Sequence, residues 1–176
     1  YDNLKQFLYN HKNEKIIIFG FTYDVYDFLF KKLNTSLNLS NASILHGGGW
    51  KKLEKEKISN IQFKKKIYKN FKIKKIINYY GLIEQTGSIF FECPTCNVFQ
   101  CSNYSNVLIR DKNFKILEKG KGYLQLMSLL PTSYPGHNLL TEDYGEMSSC
   151  HCGFKGKSFK ILGRVEKSEI RGCANV

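Results

Sequence analysis

Three short apolar runs, separated by helical patterns and glycine turns, constrain the fold of this chain more than any other feature. Ile16–Gly20 is a continuous run rich in β-branched residues, which predicts a strand covered on both faces. Tyr23–Leu33 places apolar residues at 25, 26, 28, 29, 30 and 33, a helical pattern. Ala42–Leu45 predicts a second strand, and Gly47-Gly48-Gly49 follows it. Ile58–Phe71 predicts a second helix, with Ile61, Phe63, Ile67, Tyr68 and Phe71 on one face and lysines on the other. Lys75–Tyr79 predicts a third strand that runs into Gly81. Alternating strands and helices predict a parallel α/β sheet. In such sheets ligands bind beyond the carboxyl ends of the strands, which here carry Gly47–Gly49 and Tyr80–Glu84.

The pattern changes after about Ile89. Asn106–Arg110, Phe114–Leu117, Gly122–Leu129 and Phe159–Leu162 are short apolar segments with turns between them, as in an antiparallel β lobe. The expected fold class is α/β: a partial parallel sheet with flanking helices, plus an antiparallel β lobe.

The composition is globular, with 42% hydrophobic and 14% aromatic residues among 176. The net charge of +12 raises the question of a nucleic-acid partner. Two observations weigh against one. The chain has three arginines (Arg110, Arg164, Arg171), and arginine is the preferred reader of phosphates and base edges. Most of the excess charge lies in Lys51–Lys75, where lysines alternate with apolar residues as on a solvated helix face. No run approaches the roughly 18 apolar residues of a membrane span, and no signal peptide is visible. A cytoplasmic location is expected. The chain begins at Tyr1 and is read as a segment of something longer.

Four segments carry residues suited to nucleotide chemistry, and each also has a plain structural explanation. Gly47-Gly48-Gly49-Trp50 lets backbone approach a flat ligand, or makes a tight turn. Asn78–Gly87 (NYYGLIEQTG) offers Tyr79 and Tyr80 at a strand end, where a ring stacks on a purine. Gly81 then turns the chain, and Glu84 can hold Mg²⁺. A strand-to-loop turn with a surface glutamate explains the same residues. Thr141–Gly145 puts Asp143 in a polar turn, suited to ribose hydroxyls or simply to a β-turn. Gly163–Gly172 (GRVEKSEIRG) reads as a hinge or a surface turn, with Arg164 able to bind ribose or phosphate.

Their order resembles the superfamily of adenylate-forming enzymes: acyl-CoA synthetases, peptide-synthetase adenylation domains and luciferases. A closer resemblance is to LuxE-type acyl-protein synthetases. It is carried by Ile44–Trp50, Tyr80–Gly87, Leu129–Asp143 (LLPTSYPGHNLLTED) and Gly163–Cys173 (GRVEKSEIRGC). The resemblance implies ATP-dependent activation of a carboxylic, expectedly fatty, acid as acyl-AMP, then transfer to a thiol. The acceptor would be a protein thiol, a carrier protein or CoA, with an acyl reductase as a further partner. It implies that Tyr80, beside Tyr79 and Gly81, stacks on adenine with Gly47, Gly48 and Gly49 along its edge. Glu84 would be the catalytic, magnesium-binding carboxylate. Asp143 would bind the ribose hydroxyls with Arg164, and Lys167 would occupy the hinge. Ile83 stands where the family usually has Thr, and Thr86 is the substitute hydroxyl considered. Lys167 replaces a frequent Asp. The implied division is a nucleotide-binding subdomain over 1–90, a β lobe over 91–163 and a hinge over 164–176. The family's phosphate loop, its C-terminal lobe and its late acylated Cys are expected elsewhere, so Cys173 is not read as that nucleophile and this segment alone is expected to be inactive.

Cys93-Pro94-Thr95-Cys96 and Cys150-His151-Cys152 are two chelating pairs at spacings suited to one tetrahedral Zn²⁺. Cys101 or His151 can replace a ligand, and reduced free cysteines are the alternative. A rival function, a basic zinc-stabilised nucleic-acid-binding module, rests on this cluster and the charge. A catalytically degenerate adenylation scaffold is the third reading, prompted by Ile83.

Overall fold

A computed structural model describes residues 2–33, 37–132 and 135–165, in two compact units, Tyr1–Tyr80 and Gly81–Val176. This division falls ten residues before the boundary drawn at residue 90. Lys167 and Cys173, with most of the expected 164–176 hinge, lie outside the described residues, as do Ser133 and Tyr134.

The first unit holds three parallel strands, β1 (Ile16–Phe21), β2 (Ala42–Gly47) and β3 (Lys75–Tyr80), in that order. Helix α1 (Asp2–Asn10) precedes them. Helix α2 (Thr22–Asp27) continues as a wider turn over Phe28–Lys32, closed by Leu33 N–H donating to the Phe28 carbonyl. Helix α3 (Asn60–Phe71) starts at a reciprocal cap: Ser59 Oγ accepts from the Gln62 amide, and the Gln62 side chain accepts from the Ser59 amide. Phe63, Ile67 and Phe71 recur every four residues and are buried against Leu29, Ile44 and Ile73.

Two expectations need correction here. Ile61 and Tyr68 were assigned to the buried face of α3, but they are half-exposed, because only the 63-67-71 row points at the sheet. β1 was expected to be covered on both faces. Its burial alternates instead, with Ile17 73% and Phe19 66% exposed, because the described helices of this unit cover one face only.

The second unit is the antiparallel lobe. It comprises β4 (Phe90–Glu92), β5 (Phe99–Gln100), β6 (Ser105–Arg110), β7 (Ile116–Leu117), β8 (Lys121–Ser128), β9 (Asn138–Met147) and β10 (Ser158–Arg164). Their order is β4-β5-β10-β9-β8-β6-β7. Val107, Ile109, Leu124 and Leu126 are buried on β6 and β8, and Phe90 and Phe99 both contact the Phe159 ring. Both fold-class expectations, the parallel α/β part and the antiparallel lobe, hold. The lobe also corrects one reading: Thr141–Gly145 lies in the longest strand of the lobe, not in a turn. Its polar residues belong to a ribbon that is half-exposed on both sides.

Candidate functional site

In the first unit, the three parallel strands carry their candidate residues at their carboxyl ends. Gly47 closes β2, and its backbone pairs with Tyr79. A Cβ at Gly47 would lie 2.6 Å from the Tyr79 carbonyl oxygen and 2.8 Å from its ring. Only glycine allows this approach. The Tyr79 ring also stacks on Phe19, with centroids 5.6 Å apart and planes inclined by 13°. Burial raises the Tyr79 hydroxyl pKa, so the ring stays neutral near pH 7. Gly47 therefore lines Tyr79, and Gly48 lies nearest Phe21, whereas the resemblance puts all three glycines beside an adenine on Tyr80. Tyr80, half-buried, is the next residue and points to the opposite face of the strand. Gly48 and Gly49 are exposed, and the space beside Gly49 is open.

His46 was not singled out in the sequence. It is 2% exposed, just before the glycines. Thr22 Oγ donates to the Gly47 carbonyl and lies 3.0 Å from His46 Nδ1. A hydroxyl has one proton, so Nδ1–H donates to Thr22 and Nε2 carries the lone pair. Burial, with a smaller push from Lys64, lowers the His46 pKa to about 4. Nε2 has no protein partner among the described residues, and His46 borders a cleft lined also by Thr22, Trp50, Asn60 and Asn78. No local pattern marks a buried histidine preceding a glycine run, which is why the sequence does not reveal it.

In the second unit, Glu84 sits exposed on a short helical turn, Ile83–Gln85. The turn is held from below. Gln85 is 1% exposed, and its amide donates to the carbonyls of Leu126 and Gly136. Gly136 packs so closely that a Cβ there would lie 2.0 Å from the Glu84 carbonyl oxygen. Gln85 is a residue the motif contained but to which no role was given. Thr86, the substitute hydroxyl, donates to the Ile83 carbonyl at 3.2 Å and so closes the same turn. Ile83 itself is 72% exposed.

Asp143 and Arg164 meet in this unit. They are register partners on β9 and β10, with Arg164 Nε 3.5 Å from Asp143 Oδ1. The register of β9 against β8 shifts between Tyr123 and Gln125, so that Thr141, Glu142 and Asp143 of β9 lie opposite Leu124 alone. Thr141, in that bulge, donates its hydroxyl to the Leu124 carbonyl and accepts from the Asp143 amide. Bulges re-aim side chains, and this one fixes the backbone that carries Asp143. A groove of about 350 Å³ borders Arg164, with Tyr123, Tyr144, Leu162, Gly163 and Val165 along it. Tyr123 and Tyr144 stand edge to face at 6.0 Å and were not anticipated.

The cysteine pairs also converge in the second unit. The Sγ atoms of Cys93, Cys96, Cys150 and Cys152 all lie within 4.8 Å of one another. Cys101, the alternative ligand, is buried outside this group, and burial pushes its thiol up to about 11. His151 contributes its backbone amide, which donates to Cys96 Sγ. Cys150 is held at about 6, chiefly by the Cys152 thiol donating to it, while Cys152 is pushed up to about 12 by the same contact.

A family model described as acyl-protein synthetase, LuxE, matches residues 3–176. The chain belongs to the LuxE acyl-protein synthetase family. No curated protein sequence matches it. Solved structures with the same fold include the N-terminal domain of FACL13 from Mycobacterium tuberculosis in an inhibitor-bound form. That match has 14% identity and a TM-score of 0.60, and covers 94% of this chain and 42% of that one. O-succinylbenzoate coenzyme A synthetase (MenE) from Bacillus subtilis, in complex with ATP and magnesium ion, matches at 14% identity and a TM-score of 0.62, covering 93% and 34%. The anthranilate CoA ligase AuaEII, in complex with anthranoyl-AMP, matches at 12% identity and a TM-score of 0.60, covering 93% and 32%. The LuxE-family chain thus spans less than half the length of each of these structures.

Proposed function

We propose that the protein carrying this chain activates a carboxylic acid with ATP and passes the acyl group to a thiol. Support comes from family membership, from the fold shared with adenylate-forming ligases, and from the candidate residues of each unit. A carboxylate oxygen attacks the α-phosphorus of ATP, the bond to the β-phosphate oxygen breaks, and acyl-AMP and pyrophosphate result. A thiolate then attacks the acyl carbon, and AMP leaves. The substrate we favour is a fatty acid and the acceptor a protein thiol, with a carrier protein or CoA as the other acceptors and an acyl reductase as the onward partner. Despite the +12 charge, the few arginines and the concentration of lysines in Lys51–Lys75 leave nucleic acid outside this reading.

The residues present fit a magnesium ion that is held mostly by phosphate oxygens: Glu84 is an exposed carboxylate on a turn that Gln85 and Gly136 hold from below. When bound, the ion would neutralise charge on the phosphates. Glu84 would anchor it. Asp143 would accept ribose hydroxyls through its carboxylate, which stands beside the Arg164 guanidinium. Arg164 would orient that carboxylate. Tyr79 and Tyr80, with Gly47, Gly48, Gly49 and Gly81, would offer flat surface to a purine, and Thr86 would keep the Glu84 turn closed. Lys167 would serve the hinge.

The single observation that carries the nucleotide reading is the Asp143–Arg164 pair, because two residues 21 positions apart become register partners. Binding of a non-hydrolysable acyl-adenylate mimic to the full-length protein tests it. Asp143→Ala is expected to weaken binding by about tenfold or more, the scale of a lost hydrogen bond to a charged group. Unchanged affinity in a folded Asp143→Ala variant would remove the ribose assignment.

A further inference from the structure

We propose that Cys93, Cys96, Cys150 and Cys152 together bind one structural zinc ion that pins the turn between β4 and β5 to the connection between β9 and β10. This site serves the fold of the second unit and is independent of the adenylation chemistry.

Geometry carries the proposal. Cys93 and Cys96 bracket the β4–β5 turn, which is closed by Cys93 N–H to the Val98 carbonyl and Asn97 N–H to the Cys93 carbonyl. Asn97 has φ of 53°, the left-handed turn that brings the two thiols of a Cys-x-x-Cys knuckle to one side. Cys150 and Cys152 sit in the connection after β9, and Gly153, with φ of 86°, turns the chain after them. The two segments are 54 residues apart in sequence, and the strand pairs β4·β5, β5·β10 and β10·β9 link them into one sheet.

The sulfurs are spaced for a metal. A tetrahedron with zinc–sulfur bonds of about 2.3 Å has sulfur–sulfur edges of about 3.8 Å. Here the Cys93–Cys152 separation is 3.4 Å, Cys150–Cys152 is tighter at 2.8 Å, and all four sulfurs fall within 4.8 Å. The set brackets that edge, and the Cys150–Cys152 pair would open by about 1 Å around an ion. The five described cysteines are unbridged. Sulfur hydrogen bonds weakly, so thiol–thiol contacts alone do little to draw four cysteines from two segments together.

Backbone donors complete the picture. The amide of Cys96 donates to Cys93 Sγ and the amide of His151 to Cys96 Sγ. The amides of Cys152 and Phe154 face Cys150 and Cys152 in turn. Gln100 adds a side-chain amide to Cys150 at 3.3 Å. Each of the four sulfurs thus has a backbone N–H aimed at it. Such donors orient and support metal thiolates. With all four positions filled by sulfur, the ion would have no open coordination site, so its work would be structural.

The test uses the intact chain, purified without chelators and analysed by elemental analysis and native mass spectrometry. One zinc per chain is expected, and replacing it with cobalt is expected to give the visible bands of a tetrahedral tetrathiolate. Cys93→Ser and Cys150→Ser are expected to lose the ion, and Cys101→Ser to keep it. Removing zinc from the wild-type chain is expected to speed hydrogen exchange in β4, β5, β9 and β10 and leave α3 unchanged. That readout needs no variant to fold. Purified wild-type chain containing no metal, iron in place of zinc, a Cys150–Cys152 disulfide, or equal zinc retention in Cys150→Ser would each overturn the proposal.

Discussion

At the scale of single residues, the clearest physical consequence lies with His46. Its ring is buried, donates through Nδ1 to Thr22 and keeps Nε2 unprotonated. Its folded-state pKa of about 4 is below the ordinary 6.5. Between those values the unfolded chain binds a proton that the folded chain does not. The contribution to stability is therefore complete above pH 6.5 and is lost as the pH falls towards 4. Its ceiling is about 3 kcal/mol. Chemical denaturation across this range should show the loss in the wild type, and a folded His46→Gln variant should show a shallower pH dependence. Parallel curves would mean that His46 is solvated. The Asp143–Arg164 contact belongs to another class. Arg164 is 41% exposed, so the pair adds little to stability, on the order of 0–1 kcal/mol. Its value lies in where it holds the carboxylate.

Among elements, α3 anchors the first unit. The Phe63 side chain is 1% exposed and packs against the rings of Tyr26, His46 and Trp50. Phe63→Ala should cost about 3–5 kcal/mol in urea denaturation, and Ile61→Ala, on the exposed side, less than about 1. Equal costs would contradict the burial row 63-67-71. The same helix shows what the sequence could reveal. Apolar residues at 61, 63, 67, 68 and 71 fix that a helix forms, but only the four-residue row faces the sheet, and composition does not separate that row from its neighbours. Strands β1, β2 and β3 were legible because short apolar runs alternate with helical patterns, two of them running into glycine. β9 was not, because Asp143 and Gly145 are turn-forming residues, and here a bulge and pairing on both sides impose extended backbone. Local propensity yields to tertiary pairing there.

On the scale of the molecule, the order of the motifs was legible while the geometry was not. Both cysteine pairs could be picked out by residue type and spacing, whereas Glu84, Asp143 and Arg164 drew their expected roles from the order of the motifs and the family resemblance. Long-range packing decided the rest: Gln85 under the Glu84 turn, Tyr79 rather than Tyr80 against Gly47, and Tyr123 and Tyr144 beside Arg164. No helix among the described residues is long and apolar enough to cross a membrane. The central claim, that the protein forms an acyl adenylate, is tested most directly by acid-dependent exchange of labelled pyrophosphate into ATP, using the full-length protein and a panel of fatty and aryl acids. We expect exchange that requires a fatty acid and magnesium and falls by at least about a hundredfold in Glu84→Ala, the scale of a lost electrostatic contact to the transition state. Absence of exchange with every acid, or full exchange in Glu84→Ala, would contradict the account.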